Sequence, residues 1–150
     1  MLNPDYKEML STLLQEKVEF ILVGAYAMAI HGFPRATGDI DIFVRPNPEN
    51  ARRLFKALAK FGAPLQGVQE ADFAKEGTIF QIGVPPRRID LITLIDAVSF
   101  ESAWEDKVTV EIADLKIPVL SRIKIIANKS ATGRKKDALD VETLKQADES

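Results

Sequence analysis

A nearly unbroken apolar run, Val18-Glu19-Phe20-Ile21-Leu22-Val23, stops at Gly24 and is followed by Ala25 to Ile30 without a single charge. An apolar stretch this short reads as a strand covered on both faces, and the uncharged stretch after the glycine suits a short helix. A strand, a glycine turn and a helix in succession need a sheet to lie in and helices to cover it, so an α/β arrangement is the expected outcome. Gly32, Pro34 and Gly38 then interrupt regular structure. The chain resumes as Asp39-Ile40-Asp41-Ile42-Phe43-Val44, which alternates polar and apolar until Pro46 and reads as a second strand.

Helix signals frame these strands. Asn3-Pro4 and Asn47-Pro48 each place a capping side chain before proline at the first helical position, so helices are expected over residues 4–17 and 48–61, the second ending at Gly62. Residues 63–77 carry no convincing period and are expected to be mostly loop. Residues 78–84 and 88–95 are strand-like on either side of Pro85-Pro86, which suits an antiparallel pair, and residues 108–112 and 115–119 form a shorter hairpin across Ala113-Asp114. Residues 121–128 and 134–144 read as two helices around the break at Ser130-Ala131-Thr132-Gly133. The expected fold class is therefore α/β (α+β): a short mixed β-sheet with helices packed on one face and a C-terminal helical pair, in one domain over residues 1–150.

Composition removes several chemistries. With no cysteine and a single histidine, His31, there is no disulfide framework, thiolate zinc site, cysteine nucleophile or multi-histidine metal site. A net charge of -2 argues against a surface that tracks a nucleic-acid backbone throughout, since such domains are usually basic. Local clusters remain: Arg52, Arg53, Lys56 and Lys60 read as a solvated helix face, whereas Arg134, Lys135 and Lys136 serve equally as a solvated face or a ligand contact. No apolar run approaches the roughly 20 residues that span a bilayer, and the first residues lack the layout of a signal peptide. No membrane association and a cytoplasmic location are expected.

Chemistry enters at Asp39 and Asp41. Alternation along a strand sends both carboxylates to one side while Ile40, Ile42 and Val44 take the other. Two carboxylates that close repel unless a cation lies between them, and hard oxygen donors favour Mg2+ or Mn2+. A site holding two ions about 3.5 to 4 Å apart needs a third acid. Asp90, alone among the apolar residues of Ile89-Asp90-Leu91-Ile92, is the best candidate, and if its strand lies beside the Asp39 strand it would complete the cluster and accept the proton of an attacking hydroxyl. Taken alone, alternating acids also occur on edge strands for solubility. At the helix that follows Gly24, free backbone N–H groups at Gly24 and Ala25 would receive phosphate, although this is neither a Walker loop nor a dinucleotide fingerprint.

These residues resemble the DNA polymerase beta-like nucleotidyltransferase superfamily. The spacing Val23-Gly24-Ala25, His31-Gly32, Arg35, Thr37, Asp39-Ile40-Asp41 is similar to that of small prokaryotic nucleotidyltransferases related to abortive-infection toxins. The C-terminal stretch from Asn128 to Asp137, with Asp140, extends the likeness over most of the chain. The resemblance implies a nucleotidyltransferase fold in which Asp39, Asp41 and Asp90 are catalytic and hold two Mg2+ or Mn2+ ions. It implies transfer of a nucleoside monophosphate from a nucleoside triphosphate to an acceptor hydroxyl on a protein, a tRNA end or a small molecule, with release of pyrophosphate. Gly24 and Ala25 would contact the triphosphate, while Arg35 and Thr37 would hold phosphate or order the metal loop, or simply a turn. Lys129, Arg134 and Lys135 would reach the triphosphate or acceptor, with Asp137 and Asp140 pairing with these bases or with Arg35. Ala25 departs from the family's usual glycine or serine and has no hydroxyl to offer a phosphate. A cognate antitoxin-like protein is an implied partner.

Other readings differ in what they ask of the same residues. In dehalogenase-like phosphatases the paired acids close a buried strand, whereas here they open one; sugar-nucleotide glycosyltransferases usually have a longer sugar-nucleotide domain. A catalytically silent nucleotide- or partner-binding module of a toxin–antitoxin-like pair is the non-enzymatic alternative. His31 reads as a structural side chain rather than a general base, and Tyr26 and Trp104 as packed rings rather than base-stacking platforms.

Overall fold

The computed structural model describes residues 2–33 and 38–149. Its helices are α1 (Pro4–Gln15), α2 (Gly24–Ile30), α3 (Pro48–Phe61), α4 (Phe100–Glu105), α5 (Arg122–Ala131) and α6 (Lys135–Glu149). Its strands are β1 (Phe20–Val23), β2 (Ile40–Val44), β3 (Ile79–Ile82), β4 (Ile89–Ile92), β5 (Val108–Ile112) and β6 (Leu115–Val119). They form one mixed sheet in the order β3-β4-β2-β1-β6-β5. β1 runs antiparallel to β2 and parallel to β6, and β2 runs parallel to β4. The two expected hairpins, β3 with β4 and β5 with β6, are antiparallel pairs.

Local chemistry starts and stops these elements where the sequence signals it. Asn3 accepts the N–H of Tyr6 at 2.9 Å and Asn47 that of Asn50 at 2.8 Å, each before the proline that opens α1 or α3. α1 stops short of residue 17: Lys17 has a φ of 59° and the Val18 N–H bonds to the Leu13 carbonyl at 3.0 Å, so β1 begins only at Phe20. Every residue of β1 is buried, as its unbroken apolar run requires. Asn50, 1% exposed, fastens α3 to the open end of the central strands: its Oδ1 accepts the Glu19 N–H at 2.7 Å, and its Nδ2 donates to the carbonyls of Glu19 and Arg45, each at 3.0 Å.

Two short elements arise where the sequence offers no period, and α5 runs on through Ser130 and Ala131, so the expected break falls at Thr132-Gly133. Within residues 63–77, Glu70–Ala74 forms a 3₁₀ turn that buries Phe73 and sets it edge-on to Phe80 at 5.8 Å. Residues 100–105, for which the sequence offers no period, form α4, capped by Ser99. Phe100 packs edge-on against Phe43 at 5.1 Å and stacks with Trp104 at 5.6 Å. The basic side of α3 is solvated as expected: Arg53 pairs with Glu49, while Lys56 and Lys60 reach Glu16. Among the described residues no helix is long and apolar enough to cross a membrane.

Candidate active site

The parallel pairing of β2 and β4 sets Asp41 opposite Asp90, with Ile40 and Ile42 opposite Ile89 and Leu91. Strand alternation therefore brings the two carboxylates to one side of the sheet and the aliphatic residues to the other. Asp39 stands just before β2 at the mouth of the same two strands, where its Oδ1 accepts the Arg88 N–H at 3.3 Å. The three acids inferred from sequence thus line one chamber. Arg35 and Thr37 lie outside the described residues.

Two glycines permit this close packing. Val23 pairs with Asp41, so the chain turns into α2 directly over that carboxylate; Gly24 has a φ of 69°, and a Cβ there would stand 2.3 Å from Asp41 Oδ2. Any other residue would be strained in its backbone and would have to push the Asp41 carboxylate aside. A Cβ on Gly38 would overlap the Pro86 carbonyl oxygen, so the segment entering β2 can approach the Pro85-Pro86 turn only as glycine. Beneath the acids Tyr6 of α1, fully buried, donates its hydroxyl to the Gly38 carbonyl and lies 3.1 Å from that of Arg88. It ties together the backbone on which Asp39 and Arg88 sit. Burial, with help from Tyr26 and Asp39, pushes its phenol up to about 12.

Arg88 is the cation of the cluster. Its Nε donates to Asp90 Oδ1 at 2.8 Å and its Nη2 to Asp90 Oδ2 at 3.2 Å, and the same Nη2 lies 3.3 Å from Asp39 Oδ2. Asp41 is left the least compensated of the three. Burial, a hydrogen bond with Asp90 and the charges of Asp90 and Asp39 push its carboxyl up to about 6, against the opposing pull of Arg88. Among the described residues no three acidic side chains converge as a ready cage for an ion. The guanidinium instead stands among the carboxylates, a cation in a set of hard oxygen donors. That donor set and its stand-in cation fit a magnesium- or manganese-type ion better than a softer metal.

The opposite wall comes from α5 and α6. Lys129 Nζ lies 3.1 Å from Asp137 Oδ1 and 3.0 Å from Asp140 Oδ2. Thr132 donates to Asp137 Oδ2 at 2.7 Å, and Arg134 Nε reaches the same oxygen at 2.7 Å. Burial acts to raise the Asp137 carboxyl, but Thr132, Lys129 and Arg134 outweigh it and hold it below the usual carboxylate range. Asp137 and Asp140 pair with the basic residues, as expected from sequence, and so brace the helical pair.

These walls enclose a chamber of about 450 Å³ lined by Gly24, Ala25, the three acids, Arg88, Lys129 and Arg134, with Lys136, Asp137 and Asp140. A second chamber of about 360 Å³ shares Gly24, Asp41, Lys129 and Arg134 with the first, and otherwise presents mainly aliphatic side chains, including Ile79, Ile92, Leu94 and Ile125. His31 Nε2 bonds to the Leu120 carbonyl oxygen at 2.9 Å, the structural role expected of it. Tyr26 packs edge-on to Tyr6, Trp104 stacks on Phe100, and neither lines the two chambers. Arg88, Tyr6 and Thr132 were not singled out in the sequence. Only Arg88 carried a signal: two residues before Asp90, it must share that residue's strand face.

Comparison with solved structures finds the same fold. A Thermotoga maritima protein described as a candidate nucleotidyltransferase aligns with a TM-score of 0.59 and 20% identity, over 97% of this chain and 94% of that one. The lincosamide antibiotic adenylyltransferase LnuA, solved with lincomycin bound, aligns with a TM-score of 0.58 and 15% identity, over 94% of each chain. ANT(2")-Ia, in complex with adenylyl-2"-tobramycin, aligns with a TM-score of 0.55 and 13% identity, over 93% of this chain and 84% of that one. No curated protein matches in sequence. A family model described as nucleotidyl transferase AbiEii toxin, type IV toxin–antitoxin system, matches residues 9–149. With the match running through the glycine turn, the paired acids and the helical pair, the chain belongs to this nucleotidyltransferase family.

Proposed function

We propose that this nucleotidyltransferase moves a nucleoside monophosphate from a nucleoside triphosphate to an acceptor hydroxyl, dependent on Mg2+ or Mn2+, and releases pyrophosphate. The observation that carries the reading is the placement of Asp41 against Asp90, with Asp39 at the strand mouth, in a chamber floored by Gly24. Asp39, Asp41 and Asp90 would hold two divalent ions, which when bound neutralise charge on the triphosphate and its departing pyrophosphate. Gly24 and Ala25 present backbone N–H groups to the phosphates. Lys129 and Arg134, on the facing wall, supply cationic contacts, and Arg35 and Thr37 are assigned to the same phosphates from their sequence positions. Asp90 takes the proton of the attacking hydroxyl at its carboxylate oxygen. The aliphatic chamber beyond Asp41 takes the nucleoside. In this kind of transfer, positioning and charge neutralisation supply most of the rate.

Five carboxylates face four cations in the first chamber among the described residues, a balance that needs the divalent ions to receive a triphosphate and leaves a protein hydroxyl, a tRNA end and a small molecule all open as acceptors. LnuA and ANT(2")-Ia, one solved with lincomycin and the other with adenylyl-2"-tobramycin, are consistent with a small hydroxylated acceptor. The family's toxin–antitoxin description supports a cognate antitoxin-like protein as a partner. Ala25, which has no hydroxyl for phosphate, favours a second reading in which the chain binds nucleotide without turnover.

Incubation with Mg2+ and each α-labelled nucleoside triphosphate, over pools of small molecules and proteins, separates the two. Transfer of label that is lost in Asp41→Ala supports the enzyme. Tight nucleotide binding with no transfer to any pool supports the silent module.

A further inference from the structure

Arg88 holds both oxygens of the carboxylate assigned to take the proton of the attacking hydroxyl. Its Nε and Nη2 take Asp90 Oδ1 and Oδ2 at 2.8 and 3.2 Å, and Nη2 also approaches Asp39 Oδ2 at 3.3 Å. The Asp90 side chain is 10% exposed and that of Arg88 27%, and the guanidinium takes a lone pair on each Asp90 oxygen, so an ion that enters the chamber competes with it for the same carboxylate. A guanidinium drawn away from its carboxylates keeps its full charge and is free to take another anion. The triphosphate is the anion the same chamber would receive, and planar bidentate donors suit phosphate as well as they suit carboxylate.

We infer that Arg88 is an exchangeable counter-cation: it closes the acidic cluster when metal is absent and passes from Asp90 and Asp39 to a phosphate of the bound triphosphate when metal enters. The inference rests on the proposed transferase reading and deepens it by assigning a positioning residue that no sequence motif marks. Metal and triphosphate are coupled through it. Metal alone must separate an ion pair with nothing to receive the arginine, and triphosphate alone meets an arginine already engaged. Each ligand therefore raises the affinity for the other by the same factor, as linkage requires. Strand geometry makes the exchange a side-chain movement only, since the Arg88 carbonyl remains bonded to the Ile40 N–H at 3.0 Å and its own N–H to Asp39.

The test is calorimetric titration of the full chain with Mg2+ alone, with inorganic triphosphate alone, and with each in the presence of the other; inorganic triphosphate removes any dependence on the base. For the parent, Mg2+ affinity rises about tenfold when triphosphate is present, within the range of ordinary coupling energies. In Arg88→Gln, Mg2+ alone binds about tenfold more tightly than to the parent and the coupling falls to about twofold or less. Arg88→Lys, which keeps the charge but not the fork, lies between the two. Circular dichroism on both variants verifies the fold. Equal Mg2+ affinity and equal coupling in parent and Arg88→Gln would overturn the inference while leaving the transferase reading intact. Failure of the parent to bind Mg2+ or triphosphate under any of these conditions removes the reading itself and the inference with it.

Discussion

Asp41 is the side chain at which folding and function oppose each other most directly. Its folded-state carboxyl, pushed up to about 6 from 3.8, lies above the unfolded one, so the folded protein holds the extra proton between those values. Stability of the metal-free protein accordingly falls as pH rises from about 4 through 6 and stays reduced above that. Asp41→Asn removes the penalty: thermal melting should show a gain of up to roughly 3 kcal/mol at pH 7.5 and little at pH 4, at 1.36 kcal/mol per pH unit. Asp90→Asn should behave oppositely, because Arg88 loses a bidentate, charge-assisted partner, and should lose about 2 kcal/mol at pH 7.5. Both substitutions should abolish transfer. Equal stability changes in the two variants would contradict the charge distribution described for the cluster.

Asp41 and Asp90 stood out in the sequence because each breaks an apolar pattern on a strand, and Asp39 because it precedes Asp41 by the two residues that share a strand face. Their meeting was not legible, since only the pairing of β2 with β4 brings residues 41 and 90 together. Arg88 was half legible. Its strand face follows from its distance to Asp90, but that it bridges to Asp39 is a fact of tertiary structure. Tyr6 gave no signal at all: it occupies an ordinary apolar position on α1, and its hydroxyl matters only because two strand mouths lie above it.

At the scale of elements, two junctions hold the site in place. Asn50 belongs to α3, yet its amide saturates three backbone groups at Glu19 and Arg45, where β1 begins and β2 ends. Asn50→Ala should cost about 2 to 3 kcal/mol by denaturant titration, because buried backbone groups lose their partners. Lys129 joins α5 to α6 through Asp137 and Asp140, whose side chains are 3% and 6% exposed. Lys129→Met removes the cation that both buried carboxylates share and should cost about 3 kcal/mol, with the helical pair exchanging its amide hydrogens faster than the sheet.

Element boundaries followed the caps and prolines closely where those were present, as in α1, α3 and the two hairpins. α4 escaped notice because six residues are too few to display a helical period and it is held by Phe100 on Phe43, a contact between distant parts of the chain. The 3₁₀ turn around Phe73 is of the same kind: one buried ring organises a stretch that has no periodicity of its own.

Over the whole molecule, the sheet order β3-β4-β2-β1-β6-β5 places the two acid-bearing strands, β4 and β2, beside the glycine-turn strand β1, with β3 at one edge and the β6–β5 hairpin on the other side. Strands distant in sequence thus become neighbours, and the helical pair closes over their ends to complete the chamber. The order could not be read from any single segment, but its chemical consequence, a cationic and acidic hollow beside an aliphatic one, is what the proposed transfer needs. The most direct test is anomalous diffraction from crystals grown with Mn2+ and a nonhydrolysable nucleoside triphosphate. The account predicts manganese within about 2.0 to 2.3 Å of carboxylate oxygens of Asp39, Asp41 and Asp90, with the Arg88 guanidinium on a phosphate. Nucleotide and manganese bound elsewhere, with Arg88 still clasping Asp90, would contradict it.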